Sequence, residues 1–266
     1  DCYRGNERGA GCPTHEFPRT MDVSTYCILC TECLRTCPRD NVTLRLRPWS
    51  ADLMHDGKPR ADEAWLALIL LSMTAFHGLT MTPVWERLKE GLMVWLAIGE
   101  PAALAIWMLV FIAAPVAVFW LLSRIAACFA RPHSAGRLFV EYAYAMLPIA
   151  LFYHLAHNAE HFLMEGPKLL ALVSDPLGRG WDLFGTARAA AAPLVTLEGL
   201  WMLQLALVLL GHVYSLWISA RITRRLVPSR LRGLAAQVPM LAAMVLCSVW
   251  SLWLLNQPMT MRVSGM

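Results

Sequence analysis

The sequence predicts a mainly α fold: a polytopic bundle of about five membrane-spanning helices carrying a small cysteine-rich module at its N-terminus. Three observations carry that prediction. Of the 266 residues, 57% are hydrophobic and only 16% charged, with a mean hydropathy of +0.47, too apolar for a soluble domain of ordinary composition. Several uninterrupted apolar runs reach the roughly 20 residues that a helix needs to cross the hydrocarbon core. Four cysteines fall within the eleven residues from Cys27 to Cys37, and Pro38 follows.

The N-terminal run Cys27-Ile-Leu-Cys30-Thr-Glu-Cys33-Leu-Arg-Thr-Cys37-Pro38 has the spacing C-x2-C-x2-C-x3-C-P. That spacing lets three thiolates reach one cubane cluster from a single tight loop, and it predicts a [4Fe-4S] site. Zinc normally uses paired C-x2-C knuckles separated by a longer insert, and a disulfide framework fits neither the close spacings nor a membrane chain. Residues 1–26 lack periodicity and carry Cys2 and a second Cys-Pro pair, Cys12-Pro13. In two-cluster ferredoxins the cysteine before proline serves the other cluster. On that arrangement Cys12 completes the cluster held by Cys27, Cys30 and Cys33, while Cys37 turns to a second cluster with Cys2. In the simpler alternative, Cys27, Cys30, Cys33 and Cys37 hold one cluster and Cys2 and Cys12 are idle. The chain starts at Asp1 without a methionine or a signal-peptide core, which reads as an incomplete N-terminus; the remaining ligands of a second cluster are then expected in the missing part.

Val42, Leu44 and Leu46 alternate with Thr43, Arg45 and Arg47, the period of a half-buried strand that would close a ferredoxin-like module over residues 1–48. Residues 49–62 form a polar linker, and 63–266 form the transmembrane helical domain. The spans are expected at 64–81, 101–122, 138–157, about 197–220 and about 238–255. Between the first two, Trp85, Leu88, Leu92 and Trp95 share a face against Glu86, Arg87, Lys89 and Glu90, as in a helix lying in the interface.

Basic residues set the orientation. Arg124, Arg131 and Arg137 lie between spans two and three, and Arg221, Arg224, Arg225, Arg230 and Arg232 between four and five. Those loops, and the cysteine module before the first span, are expected in the cytoplasm of a cell whose inner (cytoplasmic) membrane holds this multi-pass chain. The net charge of +4 is spread through short loops and gathers on no one face, which argues against a nucleic-acid partner.

Ionisable groups inside spans are costly, and each is a functional candidate. His77, His154, His157, His161 and His212 qualify as haem or metal ligands. His154, His157 and His161 are spaced to share one helix face, and Met73 and Met81 flank His77 at i−4 and i+4. The readings are a b-type haem, a copper or other metal site with Met259 and Met261 as additions, a quinone pocket or proton path, or histidines that only hydrogen-bond between helices. His157-Asn-Ala-Glu160-His161 also matches the H-x-x-E-H pattern of some zinc peptidases, but that site needs a further acidic ligand and a wet cleft. Cys128 and Cys247 read as small hydrophobes.

Gly11-Cys12-Pro13, Met21-Asp22, Cys27 to Pro38, Asp40-Asn41-Val42 and Arg47-Pro48 together resemble the polytopic membrane ferredoxins related to electron-transfer proteins of nitrate and nitrous-oxide respiration. The resemblance covers residues 2–48. It implies cytoplasmic [4Fe-4S] clusters exchanging electrons with a redox partner protein or a quinone, with Cys12, Cys27, Cys30, Cys33 and Cys37 as ligands and Cys2 as a further one. Nine residues separate Cys2 from Cys12 where the regular motif has three, and the upstream C-x2-C is absent. The expected function is electron transfer within an oxidoreductase system. A redox or iron sensor, and a metal- or haem-handling protein with the module as its reductant, are the alternatives.

Overall fold

The computed structural model describes residues 1–21, 24–46, 51–54, 59–187 and 192–257. The chain divides into two compact units, Asp1–Lys58 and Pro59–Met266, at a point inside the polar stretch that precedes the first apolar run.

The described residues up to 46 of the first unit form turns around a short helix, α1 (Glu32–Thr36). The amide of Asn6 donates to the Thr36 carbonyl (2.8 Å), the Ala10 N–H to the Glu32 carboxylate (2.9 Å), and the Cys12 N–H to the Cys2 carbonyl (2.7 Å). These bonds fold residues 2–12 back on themselves and onto α1. The fold-back leaves no room for a side chain at Gly11, where a Cβ would stand 2.1 Å from the Tyr3 carbonyl oxygen. A second short helix, α2 (Ala51–Met54), follows.

The strand expected at 42–47 does not form over its described part, residues 42–46, and Arg47 lies outside the described residues. Leu44 and Leu46 are 69% and 99% exposed. Alternation marks a strand only where a second strand supplies the ladder, and among the described residues of this unit the sole pairing is an isolated bridge between Asn6 and Gly9.

Among its described residues the second unit contains five helices long and apolar enough to cross a membrane: α3 (Ala61–Thr80), α5 (Glu100–Phe129), α6 (Ala135–Glu160) with the π-helical turn His161–Glu165 that continues it, α8 (Leu197–Leu226) and α9 (Arg230–Leu255). Two shorter helices, α4 (Pro83–Leu96) and α7 (Lys168–Ser174), lie between them. Pro83 and Pro101 start α4 and α5 where an N–H would be unpaired in any case, and Ser134 and Thr196 cap α6 and α8 through their hydroxyls. Helices α5, α6, α8 and α9 overrun the expected spans at their arginine-bearing ends. Arginine stems bury hydrocarbon while their heads stay wet, so the helix continues past the apolar run.

On α4, Trp85 is buried and Leu88 and Leu92 are half-buried, but Trp95 is 79% exposed and leaves the shared face. Lys89 ties α4 to the start of α5 by bonding Glu86 and Glu100, both at 2.8 Å. Both carboxylates hold the Lys89 ammonium well above its usual range.

One end of the bundle is polar and paired. Glu141 of α6 is 4% exposed and bonds Arg225 of α8, with Arg137 at 3.6 Å. Tyr142 shares a hydrogen bond with Thr223 (2.8 Å), and Tyr144 donates to Glu63 of α3. The opposite end is closed by Leu79, Tyr153, Ala156, Val208, Leu254 and Leu255. Leu109, Val213, Leu246 and Val249 point outward and exposed, a surface that suits lipid rather than water.

Candidate functional site

Two groups of candidate ligands emerge, one in each unit. The first unit holds six of the chain's eight cysteines, all of them free thiols. The loop through Cys27 and Cys30 bends sharply because Leu29 (φ 55°) and Thr31 (φ 64°) are both left-handed, conformations that cost a side-chain-bearing residue energy and persist only where a loop is over-determined. The Leu29 N–H points at the Cys27 sulfur (3.4 Å), and Cys33 is carried on α1.

The two Cys-Pro corners have the same geometry. The His15 N–H bonds the Cys12 carbonyl (3.2 Å), His15 is left-handed (φ 56°), and the Glu16 N–H meets the Cys12 sulfur at 3.3 Å. At the other corner the Asp40 N–H bonds the Cys37 carbonyl (3.4 Å), Asp40 is left-handed (φ 50°), and the Asn41 N–H meets the Cys37 sulfur at 3.3 Å. Amides directed at sulfur favour the thiolate, the form that binds metal. The Cys12 thiol is lowered by the Thr14 hydroxyl and then by the Glu16 N–H, and that of Cys37 by the Arg39 and Asn41 amides. Cys33 is raised by burial and by the neighbouring charge of Cys27.

This thiol-only donor set, with amides aimed at sulfur, has the chemistry of an iron–sulfur site. Among the described residues, no group of three or more His, Cys, Asp or Glu side chains stands as a closed metal cage, so the sulfurs would have to turn inward to share a cluster.

In the second unit the structure brings together three of the five candidate histidines. The rings of His77 (α3) and His157 (α6) meet edge to face with centroids 5.0 Å apart and planes at 90°. His157 and His161 stand 4.9 Å apart at 84°. His154 is exposed and makes no ring contact with His157; three residues turn a helix by about 300°, so it lies about 60° round from His157. His212 bonds the Val208 carbonyl of its own helix (2.7 Å), and its Nε2 has no partner among the described residues. Met259 and Met261 lie outside the described residues.

The His77–His157 spacing discriminates between metal geometries. With metal–nitrogen bonds of about 2.0–2.1 Å each ring centre lies roughly 3 Å from the metal. Two rings at a tetrahedral angle then stand about 5 Å apart, and two axial ligands in line about 6 Å apart on opposite faces of a macrocycle. The observed pair, at 5.0 Å, leaves no gap for a porphyrin and does not fit axial haem ligation; edge-to-face contact at this distance is also that of packed rings.

Glu160, the acid of the H-x-x-E-H pattern, is buried and accepts a hydrogen bond from Gln204 of α8 (2.9 Å), which locks α6 to α8. Gln204 and Glu141 escape sequence reasoning: their partners are 44 and 84 residues away, and no local pattern reveals them.

A cavity of about 410 Å³ lies between α3, α5, α6 and α9, lined by Leu71, Phe111, Pro115, Tyr153, Cys247 and Trp250 among others. Its walls are almost wholly hydrocarbon. Comparison of the chain with protein-family models, with curated proteins and with solved structures finds no match.

Proposed function

We propose that the chain is a membrane-bound iron–sulfur electron-transfer protein, relaying electrons between a cytoplasmic partner and a membrane carrier. The observation that carries this reading is the C-x2-C-x2-C-x3-C-P loop together with the matching geometry of its Cys37-Pro38 corner and the Cys12-Pro13 corner. Equivalent corners support equivalent work, so Cys12 joins Cys27, Cys30 and Cys33 in holding one [4Fe-4S] cluster, and Cys37, with Cys2, faces a second one.

A bound cluster supplies a one-electron couple. The chain's own part is to set where that couple lies. Backbone N–H groups of Leu29, Glu16 and Asn41 stabilise negative charge on sulfur, and Arg39 adds positive charge beside Cys37. Arg35 adds less, because its guanidinium is already bonded to Glu32 at 2.8 Å. The basic residues around Arg124–Arg137 and Arg221–Arg232 support placing this module in the cytoplasm of a cell with the bundle in its inner membrane. The apolar cavity supports an isoprenoid quinone as the carrier, since its lining is almost wholly hydrocarbon and suits a hydrocarbon tail.

The test is anaerobic reduction of the purified protein in nanodiscs, followed by mixing with a quinone in a stopped-flow instrument. The proposal expects the visible cluster bands to be reoxidised at a rate that saturates with quinone. Reoxidation by oxygen but by neither quinone nor any membrane fraction would overturn it.

A further inference from the structure

We propose that the hydroxyls of Tyr153 (α6) and Ser251 (α9) are the hydrogen-bond donors that seat the carbonyl head group of a quinone in the apolar cavity between α3, α5, α6 and α9. The inference rests on the quinone reading above for the class of ligand. The seat itself stands on the cavity and these two side chains, whatever the electron source.

At about 410 Å³ the cavity is of the size that takes a small ligand. Its walls are of two kinds. Leu68, Leu71 and Met146 supply aliphatic surface, while Trp107, Phe111 and Trp250 supply three aromatic rings. An acyl chain needs only the first kind of wall. Aromatic faces add the offset stacking that a flat conjugated head group can use. Val110, Val118 and Leu246 line the cavity and are also exposed on the outside of the bundle, so the mouth lies along α5 and α9 on the surface that suits lipid. An apolar tail can leave there into the bilayer.

Three buried hydroxyl side chains line the same cavity, those of Ser72, Tyr153 and Ser251. The Ser72 hydroxyl donates to the Leu68 carbonyl of its own helix (2.9 Å). Those of Tyr153 and Ser251 bond nothing among the described residues. The indole N–H of Trp250, next to Ser251 in the chain, is buried and without a partner there too. Buried polar groups are nearly always paired, and each exception calls for a role. All three groups can donate a hydrogen bond. A quinone brings the carbonyl acceptors they lack, and a hydrocarbon chain brings none.

The two hydroxyls come toward one end of the cavity. That of Tyr153 sits against α3 at Gly78, where a Cβ would stand 2.7 Å from it and 3.2 Å from the Leu254 side chain. Leu254 lies three residues after Ser251, one turn along the same face of α9. Gly78 thus keeps the space in which the Tyr153 hydroxyl lies, and α9 delivers Ser251 beside it.

The test uses the full chain in nanodiscs of a diether phosphatidylcholine, which has no ester carbonyl, titrated with decylubiquinone isotope-labelled at its carbonyl carbons and followed by infrared difference spectroscopy. Saturable binding of one quinone per chain is expected, with its carbonyl stretch lowered by hydrogen bonding. Tyr153→Phe and Ser251→Ala should each weaken binding about 2–10-fold, the range of one neutral hydrogen bond, and move the carbonyl stretch back toward its free value. Ser72→Ala should change neither, because that hydroxyl is already bonded within α3. Ala75→Phe places a ring in the cavity and should abolish binding. The size-exclusion profile and helical content of each variant report its folding. Unchanged affinity and carbonyl stretch in folded Tyr153→Phe and Ser251→Ala would overturn the seat. In nanodiscs of ester lipid, a lowered ester band that is lost in Tyr153→Phe while no quinone binds would make the lipid ester the occupant and overturn the quinone. Stopped-flow reoxidation separates the two proposals: quinone that reoxidises the cluster equally fast in Tyr153→Phe leaves electron transfer standing without this seat, and quinone that binds through Tyr153 but leaves the cluster reduced does the reverse.

Discussion

Glu141 and Arg225 give the sharpest energetic prediction. The Glu141 side chain is 5% exposed, and the Arg225 guanidinium that bonds it is 32% exposed, with Arg137 (55% exposed) at 3.6 Å. Removing one partner of a fully buried pair costs about 3–5 kcal/mol, because the other charge is left without compensation. Arg225 is a third exposed and Arg137 remains, so Arg225→Met should cost less, about 2–3 kcal/mol. Glu141→Gln keeps a hydrogen-bond acceptor and removes the buried charge; about 1 kcal/mol is expected. The double variant should also sit near 1 kcal/mol, giving a coupling of about 2 kcal/mol in the cycle. Reversible SDS unfolding in mixed micelles, followed by tryptophan fluorescence, measures all four proteins. A double variant whose loss equals the sum of the two single losses would refute the argument that an uncompensated buried carboxylate is the cost.

Further predictions concern the thiols. Cys12→Ser should remove the cluster held with Cys27, Cys30 and Cys33, while Cys37→Ser should retain it; iron and acid-labile sulfide per chain decide between this and a self-contained four-cysteine cage. In the apo-protein, Cys12 and Cys37 have lowered thiol pKa values and Cys33 a raised one. Raising the pH should therefore bring Cys12 and Cys37 to full iodoacetamide labelling before Cys33, as read by peptide mass spectrometry; the reverse order would contradict the hydrogen-bond assignment. Arg39→Glu replaces a positive charge beside Cys37 by a negative one and disfavours the more negative reduced cluster, so the midpoint potential should fall in a redox titration. Arg35→Glu should shift it less, because Glu32 already offsets Arg35.

The membrane helices were legible because an apolar run of about 20 residues has few other fates. Their arginine-bearing ends were not, since hydropathy stops where snorkelling begins. The His157–His161 pair was readable from its i, i+4 spacing, but its meeting with His77 depends on the α3–α6 approach at Gly78, which no local pattern encodes. The likeness of Cys12 and Cys37 was suggested by two Cys-Pro pairs, and the structure adds their matching turns. Residues 42–46 mark the opposite case: alternation is a property of one segment, and a strand is a property of two.

The most direct measurement of the central claim is anaerobic purification of the full chain, with metal and sulfide analysis and low-temperature EPR of the dithionite-reduced sample. The account predicts iron and acid-labile sulfide in equal amounts, at least four of each per chain for one cubane cluster, and a reduced-cluster signal that disappears in Cys27→Ser. Zinc at the thiols, with neither sulfide nor an EPR signal, would contradict it.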